Sequence, residues 1–397
     1  MSEILKTECV IAGGGLAGLT MTTLLAEKGI PSLCIEKSDL KGLVKPAMDM
    51  RTTAISYGSH LVLKAAGVWK ELEGRACPIK DIRILDGNSP VLLSFLSRDV
   101  GDNPFGWIIE NYVLRKALID RIAKSSTAEI KNSNSVIDFD VREGSVQAVL
   151  ENGERINAKL LIGADGKNSK IRKLLGLRIR KWQYSQCAHI AQIAHENPHF
   201  FAAYEHFRRE GPFAILPMID TAKGEHRSAV VWSDHKDPGR SGHMNDITFE
   251  AAIRERFPDH YGAIKLLGGR AVYPLSFQHA EHYIGDRVAI IAEAAHVMHP
   301  IAGQGLNISL RDVSCLGNLI DQVCREGGDT GSRKMLETFQ RQRRFDTMTM
   351  LAATENLNRL FSNGFPPLSL ARKLGIRIVE KLPPAKRFFM KQAMGLR

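Results

Sequence analysis

Apolar residues first gather in a short unbroken run, Cys9 to Ala12, and then recur at helical spacing from Leu16 to about Lys28, where Gly29 stops them. A second apolar run, Pro31 to Ile35, ends in Glu36. Two buried strands around one helical period predict a β-α-β unit at the start of the chain. Met48 to Trp69 reads as a loop and then a helix. "IKDIRILDGNSPVLLSFLS" reads as a hairpin turning at Asp-Gly-Asn, and "ENYVLRKALIDRIAK" as a helix. Residues 134 to 163 return to short alternating strands with a turn at "ENGERI". The apolar strand "AKLLIGADG" runs into a polar turn and the short helix "SKIRKLLG". Residues 181 to 275 are strand-like, with turns at "PMIDTAKGEHR" and "SDHKDPGR". "DRVAIIAEAAH" is one more apolar strand, after which a helix starts near Gly305. From about residue 335 the helical period dominates, broken at Pro366-Pro367 and Pro383-Pro384.

Composition narrows the class. The 397 residues are 44% hydrophobic and 24% charged, which is ordinary for a globular chain of two domains or one elaborated one. No apolar run of membrane-spanning length occurs. The acidic start "MSEILKTECVIAGGG" has neither signal-peptide nor transit-peptide character, so the expected location is the cytoplasm. Cys9, Cys34, Cys77, Cys187, Cys315 and Cys324 are scattered without a CxxC pair, as in a reduced chain without a zinc site. The net charge of +11 favours anionic partners. No nucleic-acid motif accompanies it, which leaves a phosphate-bearing cofactor or a membrane surface rather than DNA or RNA.

Three stretches carry candidate chemistry. In the first, Gly13, Gly15 and Gly18 lie between the first strand and its helix, and Glu36 closes the next strand. Glycines there let the backbone approach a pyrophosphate at a helix N-terminus, and the acid accepts hydrogen bonds from a ribose. This pattern alone does not separate NAD from FAD, and no second such motif follows. The second stretch, "LLIGADGKNSKIRKLLG", delivers Asp165-Gly166 from a strand, with Ser169 and Arg172 opening a helix. The third, "AEAAHVMHPIAGQGLNISLRD", sets a Gly-Gln-Gly turn before a helix. Backbone N–H groups from Gly303 to Asn307 would meet an electron-rich partner at the positive end of the helix dipole.

These three stretches, in this order, resemble the flavin-dependent aromatic monooxygenases of the para-hydroxybenzoate hydroxylase class, and within it the ubiquinone-biosynthesis hydroxylase family. "HPIAGQGLNISLRD" is similar to the family's His-Pro-x-Ala-Gly-Gln-Gly-x-Asn-x-Gly-x-x-Asp. "DMRTTAISYGS", "PFGWIIENYVLRKAL" and "LPPAKRFFMKQAMGL" also resemble family segments, so the likeness runs from about residue 8 to the C-terminus. Two departures stand out. Ala292-Glu293 replaces the family's Gly-Asp, and Ser309 stands where the family has glycine.

The resemblance implies an α/β fold: a Rossmann-like FAD-binding domain (1–76, 104–180 and 276–347) interleaved with a β-sheet substrate domain (77–103 and 181–275), and a helical C-terminus (348–397). It implies FAD as cofactor and NADH or NADPH as reductant. Gly13, Gly15 and Gly18 would hold the pyrophosphate and Glu36 the adenosine ribose. Arg51 and Arg115 would lie near the cofactor, and Asp165 would touch FAD. Glu293 would bind the ribityl chain, and the backbone of Gly303, Gln304, Gly305, Leu306 and Asn307 would complete the site. Pro300 would sit beside the flavin where oxygen reacts. The oxygen would be carried by a C4a-hydroperoxyflavin, and no side chain is assigned as catalytic acid or base. His296 and His299 lack a third ligand, and no metal is expected. The substrate implied is a lipophilic, polyprenylated phenol, with O2 as co-substrate.

The tail adds Phe388, Phe389, Met390, Ala393, Met394 and Leu396 beside Lys386, Arg387, Lys391 and Arg397. Such a helix can lie on the inner face of an anionic membrane, join a ubiquinone-synthesis protein complex, or pack on its own domain. Two further readings of the whole chain stay open. One is a hydroxylase of a soluble aromatic. The other is a catalytically silent FAD- and lipid-binding assembly subunit, for which the Ala292-Glu293 departure is the motive.

Overall fold

The computed structural model describes residues 5–45, 49–87, 92–208, 210–235, 244–362 and 379–396. The strand Leu5–Ala12 pairs in parallel with Ser32–Ile35 on one side and with Arg155–Gly163 on the other. Arg155–Gly163 in turn pairs in parallel with Val288–Ile290. The three strands that carry the sequence motifs are therefore adjacent and point the same way. Parallel strands buried on both faces read as continuous apolar runs, and Cys9 to Ile11, Leu160 to Ile162 and Val288 to Ile291 are each fully buried.

The helix Leu16–Glu27 is buried through Ala17 to Leu25, including three threonines. Thr20, Thr22 and Thr23 donate their hydroxyls to the carbonyls of Leu16, Gly18 and Leu19, so polar side chains enter the core with their hydrogen bonds made. The helix Gln304–Arg325 crosses it closely: a Cβ on Gly317 would come within 2.7 Å of Leu24.

Among the described residues a second large sheet has the order His296–Val297, Ile264–Ala280, Ile179–His195, His226–His235, Gly211–Met218, Ala202–Arg208, Asp81–Asp86 and Leu92–Leu96. The strands Ile264–Ala280 and Ile179–His195 are each 17 residues long, so the boundaries expected at 180/181 and 275/276 fall inside continuous strands. A small sheet joins Thr52–Ser56, Gly106–Glu110 and Cys77–Ile79. The stretch expected as a loop before the helix Tyr57–Ala65 thus contains a strand. Its two threonines are half-buried, and its strand character comes from pairing with Gly106–Glu110.

The helix Arg333–Ser362 runs unbroken through the 347/348 boundary. The Pro366-Pro367 break, the hairpin tip beyond Gly87 and most of the "SDHKDPGR" turn lie outside the described residues. The helix Pro383–Ala393 does form, and it docks by Met390 and Met394, one turn apart, in a cluster with Ile79, Leu93, Phe95 and Phe105. Phe388 and Phe389 remain 58% and 46% exposed. Replacing Met390 with Ala should therefore cost about 2–5 kcal/mol in urea denaturation, while Phe389→Ala should change stability by no more than ~0.5 kcal/mol.

Candidate cofactor site at the strand ends

The C-terminal ends of the three motif-bearing strands open onto one edge, where ligands bind in parallel α/β sheets. The loops that follow are stitched together by backbone bonds. Gly13 donates to the Ile35 carbonyl (2.8 Å), Ala164 to that of Ala12 (2.7 Å) and Ile291 to that of Gly163 (2.9 Å). Gly13 needs to be glycine on two counts. Its φ is +109°, and a Cβ there would lie 2.8 Å from Asp165 Cα. A Cβ on Gly18 would strike the Gly13 carbonyl, whereas one on Gly15 would meet nothing within 4 Å. Gly15 thus faces open space at the start of its helix.

Glu36 is buried and accepts from Gly14 N–H (2.5 Å) and Ser38 N–H (2.8 Å), one bond to each oxygen. It braces the glycine turn as well as standing where a ribose would lie. Asp165 divides its labour. Oδ2 accepts from Lys170 N–H (2.6 Å) and Ile171 N–H (3.1 Å), while Oδ1 is buried and finds no partner among the described residues. Ser169 caps the short helix by accepting from Arg172 N–H.

The third loop closes against the second. The Arg172 guanidinium donates to the carbonyls of Ala294 (2.7 Å) and Lys167 (3.0 Å), and Gln278 reaches the carbonyls of Lys167 and Glu293. Glu293 is exposed, with Oε2 4.0 Å from where a Cβ of Gly166 would sit. Ala292 is buried at φ +56°, a left-handed conformation that costs roughly 1–2 kcal/mol for a residue with a Cβ. Its N–H is held by Asp312 Oδ2 at 2.9 Å. The departure at Ser309 is absorbed simply, because its hydroxyl donates to the Gly305 carbonyl one turn back.

Opposite Glu293 stands a pair of arginines on one carboxylate. Arg51 donates twice to Asp49 (2.7 and 2.8 Å), and Arg115 donates to Asp49 Oδ2 at 3.1 Å. Burial alone would raise the Asp49 pKa, but the two guanidiniums overcome it and lower it. The hydrogen bond to Asp49, aided by Tyr273 and Glu293, raises that of Arg51.

Gly303 is left-handed (φ +62°), its N–H donates to the Pro300 carbonyl, and it precedes the helix Gln304–Arg325. The Asn307 side chain is a brace: it donates to Ala54 O (2.8 Å) and Gly303 O (2.9 Å) and accepts from Ser56 N–H (2.9 Å). Leu306 packs against the main core, and a Cβ on Gly305 would meet nothing within 4 Å. The helices starting at Leu16 and Gln304 both lack a side-chain cap, although Ser56, Ser169 and Asn245 cap others. Uncapped N-termini beside open glycines, with a buried carboxylate oxygen awaiting a donor, fit an anionic dinucleotide with hydroxyl groups.

His296 and His299 part company. His296 Nε2 bonds Asp312 Oδ2 at 2.6 Å, and His299 Nε2 bonds Gln186 Oε1 at 3.3 Å, with burial pushing the His299 pKa down to about 4. Among the described residues no group of three or more metal-binding side chains gathers anywhere.

Asp312, Asp49 and Arg343 are residues that sequence reasoning left out of the site, and Arg172 enters it there only as opening a helix. Asp312 was within reach, since it ends the quoted motif. It is fully buried and accepts from Ala292 N–H, His296 and Arg343 Nε (2.7 Å), and Arg343 continues to Asp346. Burial would raise the Asp312 pKa, but His296 and Arg343 bring it down to about 2. The folded value lies below the unfolded one, so this carboxylate stabilises the fold above pH ~4 and loses that contribution as pH falls toward 2. Asp312→Asn should cost about 3–5 kcal/mol at pH 7, because Arg343 then keeps only Asp346 as a counter-charge while His296 and the Ala292 loop lose the charged acceptor they share. Urea denaturation should find the deficit shrinking between pH 4 and pH 2.

Comparison with known proteins agrees with this geometry. The family model described as "FAD binding domain" matches residues 6–354. A ubiquinone hydroxylase, UbiL, of Rhodospirillum rubrum is 38% identical over 98% of this chain and 89% of its own length. The 3-demethoxyubiquinol 3-hydroxylase of Escherichia coli is 31% identical over 98% and 99%. The fold is that of the p-nitrophenol 4-monooxygenase PnpA of Pseudomonas putida, with a TM-score of 0.80 at 18% identity over 99% and 100% of the two chains. With its glycine turn, Asp-Gly loop and Gly-Gln-Gly helix start on one edge, the chain belongs to the FAD binding domain family of flavin-dependent monooxygenases.

Proposed function

We propose that this protein hydroxylates the aromatic ring of a polyprenylated phenol in ubiquinone biosynthesis, with NAD(P)H and O2 as co-substrates. The observation that carries the reading is the convergence of three parallel strand ends and two uncapped helix N-termini on one edge, in a chain related over its whole length to ubiquinone hydroxylases. When bound, FAD supplies the hydride acceptor and the O2-activating centre.

The protein's part is to bind and orient. Gly13, Gly15 and Gly18 admit the pyrophosphate, and Glu36 keeps lone pairs for ribose hydroxyls. Asp165 Oδ1, buried and without a partner among the described residues, would accept a hydrogen bond from the cofactor. Glu293 does the work of the family aspartate with a longer arm. Arg51, fixed by Asp49, and Arg115 place positive charge on one flank. The N–H groups of the helix start from Gln304 place it at the other, in the stretch Gly303 to Asn307, with Pro300 alongside. In this reading 1–76, 104–180 and 276–347 serve the cofactor, and 77–103 and 181–275 the substrate. An aromatic side chain near the site supports a lipophilic ring. The Tyr273 ring, 39% exposed, lies beside Arg51.

The docked C-terminal helix supports a membrane surface as the source of that substrate. Leu382, Phe388 and Phe389 are exposed next to Lys381, Arg387 and Lys391, and among the described residues no helix is long and apolar enough to cross a membrane. Replacing Phe388 and Phe389 together with Ser should lower co-sedimentation with phosphatidylglycerol vesicles at least ~10-fold, since each ring contributes about 1.5–3 kcal/mol when buried.

The direct test of the enzymatic reading is the absorption spectrum of protein purified without added flavin. Oxidised-flavin bands with FAD near one per chain, and NAD(P)H oxidation stimulated by a prenylated phenol, are the expected result. A protein that stays colourless after FAD is added overturns it. Asp165→Ala should weaken FAD at least ~10-fold by loss of a charge-assisted bond, read by flavin fluorescence on dilution.

A further inference from the structure

The strand Ile264–Ala280 runs out at Glu281 and His282 beside the helix Arg333–Ser362. There Arg180, His279, Glu281, His282, Arg344 and Met348 line a cleft of about 310 Å³. It is separate from the strand-end edge. Gln278 turns toward Lys167 and Glu293, and His279, the next residue of the strand, turns to the opposite face.

The lining suits an anion. Two guanidiniums and two imidazoles share one carboxylate, with Glu281 Oε1 3.8 Å from Arg180 Nε. His279 is 7% exposed, and its Nε2 has no hydrogen-bond partner among the described residues; neither has the buried Nε of Arg344. Burial, with His296, Arg344 and Arg180 adding to it, pushes the His279 pKa down to about 4. The Arg344 Nε–H is a donor in every state, and burying it without an acceptor is costly; an anion that accepts from it relieves that cost, with the buried His279 nitrogen facing the same cleft.

Its rim adds a second element. Met348, one turn beyond Arg344, is 51% exposed, and Phe345, three residues before Met348 on the same side of the helix, is 78% exposed. An exposed ring one helical step from the lining residues Arg344 and Met348 is a stacking face within reach of a base whose diphosphate lies in the cleft. We propose that this cleft binds the diphosphate of a nucleotide, at a second site apart from the FAD edge.

The test is calorimetric titration of the FAD-saturated protein, which keeps the glycine turn filled, with ADP, inorganic pyrophosphate and adenosine. ADP should bind saturably, pyrophosphate more weakly and adenosine not measurably. Arg344→Gln should weaken ADP at least ten-fold and Arg180→Gln at least three-fold, both with FAD content unchanged. The Arg180 side chain is 78% exposed, so its replacement leaves folding intact. Phe345→Ser should weaken ADP but not pyrophosphate. Absence of ADP binding, or ADP binding that survives both arginine replacements, overturns the proposal. Pyrophosphate binding as tightly as ADP overturns its nucleotide part and assigns the cleft to free diphosphate.

Discussion

A single buried carboxylate ties the site to the scaffold. Asp312 projects from the helix Gln304–Arg325 and is reached from three directions: by the backbone of Ala292, by the ring of His296 and by Arg343 of the next helix. Each contact does a different job. The first holds a left-handed alanine in the loop that carries Glu293. The second turns His296 inward, so that the chain between it and Pro300 has one course. The third joins the long C-terminal helix to the edge where the strands end. A charge this deep is tolerable only with its bonds complete, so the three elements are bound to one another as a set.

The same logic explains how an alanine survives where glycine would be free of strain. A penalty of roughly 1–2 kcal/mol is modest beside a charge-assisted bond to a fully buried acid. The Ala292-Glu293 departure therefore leaves the loop's course intact. Its effect is confined to the length of the acid's arm, and Glu293 stands near Gly166 and adds a smaller share to the raised pKa of Arg51 that Asp49 chiefly causes. This weighs against reading the departure as the mark of a protein that has lost its cofactor.

What was legible in the sequence was local. The glycine turn, Glu36 and the Asp-Gly loop each need only a few consecutive residues in a strand-turn-helix setting, and the parallel strands declare themselves by unbroken apolar runs. What was hidden depended on partners far along the chain. Arg343 meets Asp312 across 31 positions, and nothing near either residue announces the other. Thr52–Ser56 looks like a loop until Gly106–Glu110 pairs with it. The sequence presents Asn307 with its neighbours as a source of backbone N–H groups, but its side chain is spent bracing that strand to the helix start. The fold's outline follows from periodicity, while the bonds that give the site its rigidity follow from topology.

Rigidity also bears on how such a site can work. Asp49 holds Arg51 by two bonds, yet the Arg51 side chain stays 43% exposed and faces Tyr273. By contrast the side chain of Arg115 on the same carboxylate is only 8% exposed. One arginine is thus fixed in the body of the protein, and the other is anchored at its guanidinium but open to whatever occupies the edge. A cofactor carrying negative charge would compete with Asp49 for Arg51 without disturbing Arg115, because Asp49 would keep one buried counter-charge. That asymmetry lets the edge accept an anion while leaving no buried carboxylate unpaired, which is the condition the Asp312 network meets on the opposite flank.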